Sequence, residues 1–259
     1  EFQIGDRFSF MQFLGLQPGD SVSDEKTIWD FKGLLDKDGR DGARKLFECF
    51  PSQLSGEGMI AREGSIVDAS FVAALRQRNT REQNAQIKAG ERPEGFEADI
   101  AKGRQKDCDP RWTKKNTETH YGYKNHAKVD AKSKLVVSYK STAASVHDSQ
   151  VLEDLIYDED EAVFADSAYT SKSSDELLFK NGCQNFIQFK AQRGHPLTAE
   201  EIARNKLRSR IRVRCEHIFG RMSQMALDRL RSIGLARANQ HIGLSNLVYN
   251  MDRYAFQCK

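Results

Sequence analysis

Three acidic residues occupy sequence surroundings from which a carboxylate could do chemistry. Asp68 lies inside the largely apolar stretch Ile66–Phe71, Asp166 directly follows the apolar run Ala162–Ala165, and Glu216 lies among arginines. Hard divalent cations such as Mg²⁺ prefer oxygen ligands, and two of them roughly 4 Å apart can assist phosphodiester chemistry by activating an attacking oxygen and stabilising a leaving oxygen. Three carboxylates that converge from rigid elements would suit this chemistry.

Each carboxylate also has a simpler interpretation when taken alone. Glu216 would be a salt-bridge partner of nearby arginines, Asp166 would form a cap or an Asx turn after a strand, and Asp68 would be a polar residue on an edge strand. The three occur together in an order typical of a mixed α/β domain. We therefore favour the joint catalytic interpretation over the three separate ones.

The residues around the carboxylates predict the elements that hold them. From Ser65 the apolar pattern alternates with a period of two, which predicts a strand that contains Asp68. The run Ala162–Ala165 is typical of a strand buried on both faces, and the acidic residues 158–161 before it predict a solvated turn. Further strands are predicted at 121–129, 135–139 and 185–189, with the first two forming an antiparallel hairpin.

A long basic helix is predicted to carry Glu216. Thr198, followed three residues later by Glu201, is typical of a capping box, and helical spacing continues past Met222. At 3.6 residues per turn, Arg212 lies one turn before Glu216, where it could hold a phosphate. Residues 201–237 contain ten basic and three acidic side chains, so the basic charge of the chain is concentrated here.

Composition excludes several classes of protein. The chain has 259 residues, of which 39% are hydrophobic and 30% charged, with a net charge of only +3. No stretch approaches the roughly 20 apolar residues of a membrane span, and the first residues lack a secretory signal, which predicts a cytoplasmic protein. The five cysteines form no Cys-x-x-Cys pair, which argues against a zinc finger or a disulfide framework.

Two segments stand apart from the predicted sheet. Residues 1–60 form a helical N-terminal segment, in which 8–36 are predicted as two short helices; these form either a DNA-binding helix-turn-helix or a small structural subdomain. Since the chain begins at Glu1 and not at Met, we expect it to be truncated or processed upstream. Residues 76–119 hold eleven basic and eight acidic side chains but few apolar ones, which predicts a mobile, mildly basic insertion.

Seven short motifs occur in a fixed order between about Asp6 and Tyr254. They are Ile66–Phe71, Tyr121–His126, Val146–Ser149, Ala165–Tyr169, Arg212–Gly220, Arg231–Arg237 and Asn246–Met251. Together they resemble the DDE transposases of bacterial insertion sequences, and most closely the group built around insertion sequence five. Any one of these motifs is weak, but the ordered set is specific.

This resemblance implies a ribonuclease-H-like catalytic domain over residues 61–259, with a mixed sheet flanked by helices. Asp68, Asp166 and Glu216 would be the catalytic residues and would hold two Mg²⁺ ions, with Mn²⁺ able to substitute. Water would hydrolyse the phosphodiester at the end of the element, and the freed 3′-hydroxyl would attack target DNA directly. The implied partners are double-stranded DNA, both transposon inverted repeats and target DNA, and further copies of the chain on that DNA. The implied location is the bacterial cytoplasm, in association with the nucleoid.

Basic residues near the predicted site are expected to contact the DNA. This predicted set comprises Arg208, Arg212, Arg214, Lys115, Lys124 and His126. Arg212 matches the family's arginine four residues before the glutamate, whereas Ser209 and Ser223 stand where the wider family has a tyrosine and a lysine or arginine. These two departures keep a second interpretation open, a catalytically decayed or repurposed DNA-binding relative. A third, a simple nuclease of the same fold, would cut DNA without joining ends.

Overall fold

A computed structural model describes residues 1–115, 117–157 and 159–258. The helices are α1 (Phe2–Asp6), α2 (Phe8–Phe13), α3 (Glu25–Asp36), α4 (Gly42–Gly56), α5 (Arg81–Ala89), α6 (Glu94–Ala98), α7 (Ile100–Arg104), α8 (Leu152–Leu155), α9 (Lys172–Lys180), α10 (Ala199–Gln224) and α11 (Leu235–Gln257). The strands are β1 (Ser65–Ala73), β2 (Arg111–Lys115), β3 (Glu118–Asp130), β4 (Val136–Ala143), β5 (Ala162–Ala165) and β6 (Gln184–Ile187). Short 3₁₀ turns occur at Lys37–Gly39, Asp148–Gln150 and Ser167–Tyr169.

All six strands form one mixed sheet in which β1 is central. β1 pairs with β3 in antiparallel register and with β5 in parallel register, and β6 continues the parallel side. The far edge of β3 is shared by β2 and β4, both antiparallel to it. Val67 lies beside Ala165 in the β1–β5 register, so Asp68 is the next residue of β1 and Asp166 directly follows β5.

The sheet separates two apolar clusters, which confirms the period-two pattern of β1. On one face, Ile66 packs into a cluster with residues of α4, α10 and α11. On the other face, Val67 packs with residues of β5, α8 and α9. Asp68 alternates to the same face as Ile66, which is the face that α10 covers.

Helix α11 is held on the sheet by buried amides. Asn250 accepts a hydrogen bond from the Val136 backbone N–H and donates one to its carbonyl, both at 2.8 Å. Asn246 exchanges hydrogen bonds with the side chain of Asn125. Gly243 allows the helix to approach β4, since a Cβ there would lie 2.4 Å from the Tyr139 hydroxyl. Because paired amides leave no buried polar group unsatisfied, they fix the position of α11.

The predicted fold class is confirmed. The mixed sheet, its flanking helices and the N-terminal helices are compatible with a ribonuclease-H-like fold. The capping box between Thr198 and Glu201 begins α10 as predicted. None of the helices formed by the described residues is both long and apolar enough to cross a membrane.

Charge distinguishes the two alternatives for the N-terminal helices. The two helices predicted within 8–36 are present as α2 and α3, and Asp24 caps α3 by accepting a hydrogen bond from the Thr27 N–H at 2.7 Å. Residues 1–36 contain three basic and seven acidic side chains. A surplus of negative charge repels a phosphate backbone. This balance favours a structural role over a DNA-binding helix-turn-helix.

The segment 76–119 is more regular than its composition predicted. Its described residues form α5, α6, α7 and β2, while Asn116 lies outside the described part of the chain. Phe96 is 1% exposed, and the Tyr123 hydroxyl of β3 donates to Asp107 at 3.0 Å. Asp107 also accepts a hydrogen bond from the Gly234 backbone N–H. The prediction of a mobile insertion was based on its few apolar residues and missed this buried carboxylate anchor.

The acidic turn before β5 is not wholly solvated. Asp158 lies outside the described residues, but the Asp160 side chain is only 9% exposed and pairs with Lys128 at 2.8 Å. The prediction of a solvated turn is therefore wrong for Asp160. The acidic residues around Asp160 give no sign of its partner, because Lys128 of β3 lies 32 residues earlier in the sequence.

Candidate active site

Asp68 and Asp166 lie beside each other, directly after the point where the parallel pairing of β1 with β5 ends. The Asp68 side chain is 14% exposed and accepts a hydrogen bond from the Ala69 N–H at 2.8 Å. Asp166 follows β5 directly, is 36% exposed and accepts a hydrogen bond from the Ser167 hydroxyl at 3.1 Å. The structure thus brings together two of the three predicted carboxylates on rigid backbone.

Arg212 of α10 bridges these two aspartates. Its Nη2 lies 3.0 Å from Asp68 Oδ2 and 3.8 Å from Asp166 Oδ2. Burial alone would lower the pKa of Arg212, but the charges of Asp68, Asp166 and Glu216 outweigh it and raise that pKa above its usual value. The guanidinium therefore stays charged and neutralises part of the acidic cluster.

Glu216 lies one helical turn beyond Arg212. Its side chain is exposed, and it makes no hydrogen bond or ion pair within the described residues. Its charge nevertheless acts on Arg212 and on the neighbouring Cys215, so it contributes to the same electrostatic site. α10 thus places Arg212 against both aspartates, and Glu216 follows one turn later on the same helix.

Two titratable side chains near the carboxylates are completely buried. Tyr169 and Cys215 are both 0% exposed. Burial raises the pKa of each well above its ordinary value, and the nearby carboxylates add to that effect. Both groups therefore remain neutral beside the charged guanidinium of Arg212.

Gln188 is a site residue that the sequence analysis missed. Its Oε1 accepts a hydrogen bond from Arg212 Nη1 at 3.0 Å, and its Nε2 donates to the Ser209 hydroxyl at 2.6 Å. Its backbone N–H donates to the Ala165 carbonyl, which extends the pairing of β6 with β5. Gln188 thus fixes the end of β6 against α10. The Phe189 backbone on the same segment also exchanges two hydrogen bonds with Asn205.

Two predicted DNA contacts are interior residues. His126 is 0% exposed, and its Nε2 pairs with the Thr142 hydroxyl at 2.9 Å. Lys124 is 11% exposed and donates to Asp148 and to the Val146 carbonyl, both at 2.8 Å. Both residues lie on β3, which has a neighbour on each side, so their side chains pack under loops. In this structure neither side chain is exposed enough to reach a DNA backbone, and their role as DNA contacts stays a prediction.

The other predicted contacts differ in accessibility. Lys115 at the end of β2 is exposed. Arg208 is half-buried, donates to the Ile187 carbonyl and stacks over Phe189 with 4.3 Å between guanidinium carbon and ring centroid. Arg214 is half-buried and donates to the Ala131 carbonyl. The exposed lysine and arginine side chains of α10 are instead Arg204, Lys206, Arg210 and Arg221.

The donor chemistry of the site suits a hard divalent cation. Among the described residues, no group of three or more His, Cys, Asp or Glu side chains is already arranged to hold a metal ion. However, Asp68 and Asp166 place one oxygen each within 4 Å of the same guanidinium nitrogen. The two carboxylates thus already share one positive charge, and oxygen ligands are those that Mg²⁺ prefers.

Comparison with known proteins gives the family. A family model described as the transposase DDE domain matches residues 61–251, about three quarters of the chain. No solved structure matches the chain significantly. The matched range contains all six strands, the two aspartates and Glu216. The chain belongs to the transposase DDE domain family.

Proposed function

We propose that this protein is an insertion-sequence transposase of the group built around insertion sequence five, with Asp68, Asp166 and Glu216 as its catalytic carboxylates. The observation that carries the proposal is the convergence of Asp68 and Asp166 on Arg212, one turn before Glu216. A helix that brings a cation and a third carboxylate to two strand-borne aspartates fits the family's chemistry on DNA.

The proposed reaction has two steps, and each exchanges one phosphorus–oxygen bond for another. Hydrolysis at the transposon end leaves a free 3′-hydroxyl, and that hydroxyl then attacks a target phosphodiester and displaces its 3′ oxygen. When bound, two Mg²⁺ ions would supply the activation of the attacking oxygen and the stabilisation of the leaving oxygen, and Mn²⁺ would serve in their place. Asp68, Asp166 and Glu216 are the residues that would hold these ions.

The chain's own residues also orient the DNA in this proposal. Gln188 and Asn205 fix α10 against the end of β6, so Glu216 is held at a constant distance from the two aspartates. Arg204, Lys206 and Lys115 offer exposed positive charge to the backbone of double-stranded DNA. Two transposon ends must be joined to one target, which requires more than one copy of the chain on the DNA.

The second candidate is a DNA-binding relative that no longer cuts. It is favoured by Ser209 and Ser223, both of which bond to the chain itself: Ser209 accepts from Gln188, and Ser223 donates to Asp228 at 2.7 Å. A serine whose hydroxyl is hydrogen-bonded within the chain cannot make the DNA contact that a longer tyrosine or lysine side chain would make at the same position.

The test uses labelled DNA that carries the element's inverted repeat, incubated with the chain and with a version extended at its N-terminus. We expect Mg²⁺- or Mn²⁺-dependent nicks and strand-transfer joints that disappear in Asp68→Ala. The exposed variant Asp154→Ala is the matched control and should retain both products. Salt-sensitive binding without any cleavage in either version would favour the second candidate, and cleavage without joints would indicate a simple nuclease.

A further inference from the structure

Arg212 makes an unequal set of contacts for a side chain that is only 14% exposed. Nη2 faces Asp68 and Asp166, and Nη1 donates to Gln188. Nε is buried and has no hydrogen-bond partner in the described part of the chain. Two of its three partners are therefore the carboxylates that the proposed function assigns to metal ions.

Gln188 provides an anchor that does not depend on those carboxylates. Its amide is fixed by the Ser209 hydroxyl at 2.6 Å, and its backbone is fixed by the Ala165 carbonyl at 3.0 Å. The Nη1 contact to Gln188 therefore survives when Nη2 leaves the aspartates. A guanidinium held on one side and released on the other keeps its position and presents its free N–H groups to a new acceptor.

We propose that Arg212 is an exchangeable counter-ion that couples divalent-cation binding to DNA-backbone binding. This inference rests on the proposed function. Without a divalent cation, Arg212 neutralises Asp68 and Asp166. When the aspartates bind a divalent cation, Nη2 loses its partners, and the guanidinium, still held by Gln188, binds a DNA phosphate.

The coupling follows from charge. A guanidinium beside a newly bound divalent cation is repelled by it and loses both carboxylates, so an anion is needed to stabilise it. A backbone phosphate supplies that anion and accepts two N–H groups of arginine at once. Because linkage is reciprocal, a DNA phosphate at Arg212 raises the affinity for the cation by the same factor as the cation raises the affinity for DNA.

The test measures Mn²⁺ affinity by electron paramagnetic resonance, without and with a 20-base-pair duplex of defined sequence whose phosphodiesters are replaced by phosphorothioates. In the chain without DNA, we expect Arg212→Gln to bind Mn²⁺ at least about fivefold more tightly, since no internal cation must be displaced. We expect the duplex to tighten Mn²⁺ binding to the unaltered chain at least about fivefold, and to change it by less than twofold in Arg212→Gln.

Two further variants serve as controls. Arg210→Gln removes the same charge from an exposed position on α10 and should leave the DNA-free affinity for Mn²⁺ within about twofold of that of the unaltered chain. Arg212→Lys keeps the charge and should bind Mn²⁺ more weakly than Arg212→Gln. A circular dichroism melt of each variant shows whether it is folded before its affinity is compared.

The outcomes separate this inference from the proposed function. If Asp68→Asn and Asp166→Asn leave Mn²⁺ binding unchanged, the proposed metal-binding carboxylates are wrong. If those variants abolish binding while Arg212→Gln binds Mn²⁺ no more tightly than the unaltered chain, the proposed function stands and the exchange is overturned. Equal effects of Arg212→Gln and Arg210→Gln would also overturn it, because they would show only a general change of charge.

Discussion

Strand β5 has an aspartate near each end, and each forms an ion pair, one buried and one partly exposed. Asp160, two residues before the strand, pairs with Lys128, and the two side chains are 9% and 4% exposed. Asp166, directly after the strand, is 36% exposed and lies 3.8 Å from Arg212. Both are carboxylate–cation pairs attached to the same four-residue strand.

The two pairs differ in how completely their partners satisfy them. Asp160 accepts hydrogen bonds from Lys128, the Ser65 hydroxyl and the Tyr157 N–H, all within 2.9 Å, and Lys128 also lies over the Tyr157 ring. Among the described residues, the Asp166 carboxylate accepts a hydrogen bond only from the Ser167 hydroxyl, and it shares Arg212 with Asp68. A saturated buried pair is structural because no ligand can enter it, whereas an open, shared pair can exchange its cation.

The largest expected effect comes from changing Asp166, the aspartate in the open ion pair. Asp166→Asn removes one of the proposed metal-binding carboxylates, and we expect cleavage of inverted-repeat DNA to fall on the order of 10³-fold or more. The free energy of unfolding should change by less than about 1 kcal/mol, because Asp166 is partly exposed and makes few bonds. Cleavage assays and urea denaturation measure the two effects. An Asp166→Asn protein that still cuts at the original rate would contradict the assignment of the site.

The next largest effect comes from changing Lys128, the cation of the buried pair with Asp160. Lys128→Met leaves the Asp160 carboxylate buried without its cation, and we expect a loss of about 3–5 kcal/mol in the free energy of unfolding. The double variant Lys128→Met/Asp160→Asn should recover part of that loss, since the amide carries no charge to desolvate. Urea denaturation of both variants measures the difference. If the double variant is less stable than Lys128→Met, the ion pair does not dominate the stability of this end.

The same comparison shows how much the sequence could predict. Asp68 and Asp166 were predicted because their neighbours alternate or run apolar, and Arg212 because four residues make one helical turn before Glu216. These signals are local, and β1, β5 and α10 confirm the elements that they predicted. The roles of the carboxylates and of Arg212 in chemistry stay predictions.

The residues that the sequence could not assign depend on contacts distant in the chain. Gln188 meets Arg212 only through the packing of β6 against α10, and Asp160 meets Lys128 across 32 residues. Lys124 and His126 look like available basic side chains in the sequence, yet β3 is an interior strand that buries both. Charge and spacing alone do not reveal which strand will be interior.

A pH effect extends the comparison to a third buried group, the His126 imidazole on β3, whose side chain is 0% exposed. Burial lowers the pKa of His126 to about 4, with partial opposition from Asp148, while an unfolded histidine titrates near 6.5. Between these values the unfolded chain binds the additional proton, so stability falls as the pH is lowered from about 6.5 toward about 4. At about 1.4 kcal/mol per pKa unit, the difference between 6.5 and about 4 limits the contribution of His126 to about 3.5 kcal/mol.

His126→Gln should remove this part of the pH dependence. Burial also lowers the pKa of His241, so a smaller slope of the same sign should remain. Urea denaturation of both proteins at intervals from pH 7 to pH 4 gives the difference curve. Parallel curves for the two proteins over that range would show that the imidazole is not buried in its neutral form.

The smallest effect provides the matched control for the sealed pair. Lys132 lies in the turn after β3 and pairs with Glu63 at 3.0 Å, at the same end of the sheet as Lys128, but its side chain is 67% exposed and that of Glu63 is 68% exposed. Solvent screens such a pair and can hydrate either charge alone, so Lys132→Met should change the free energy of unfolding by less than about 0.5 kcal/mol. The substitution is chemically identical to Lys128→Met, and urea denaturation of the two variants side by side isolates burial as the variable. Equal losses would show that burial of the Lys128–Asp160 pair does not determine its contribution to the free energy of unfolding. The distinction between this saturated pair and the open pair of Asp166 with Arg212 would then lose its physical basis.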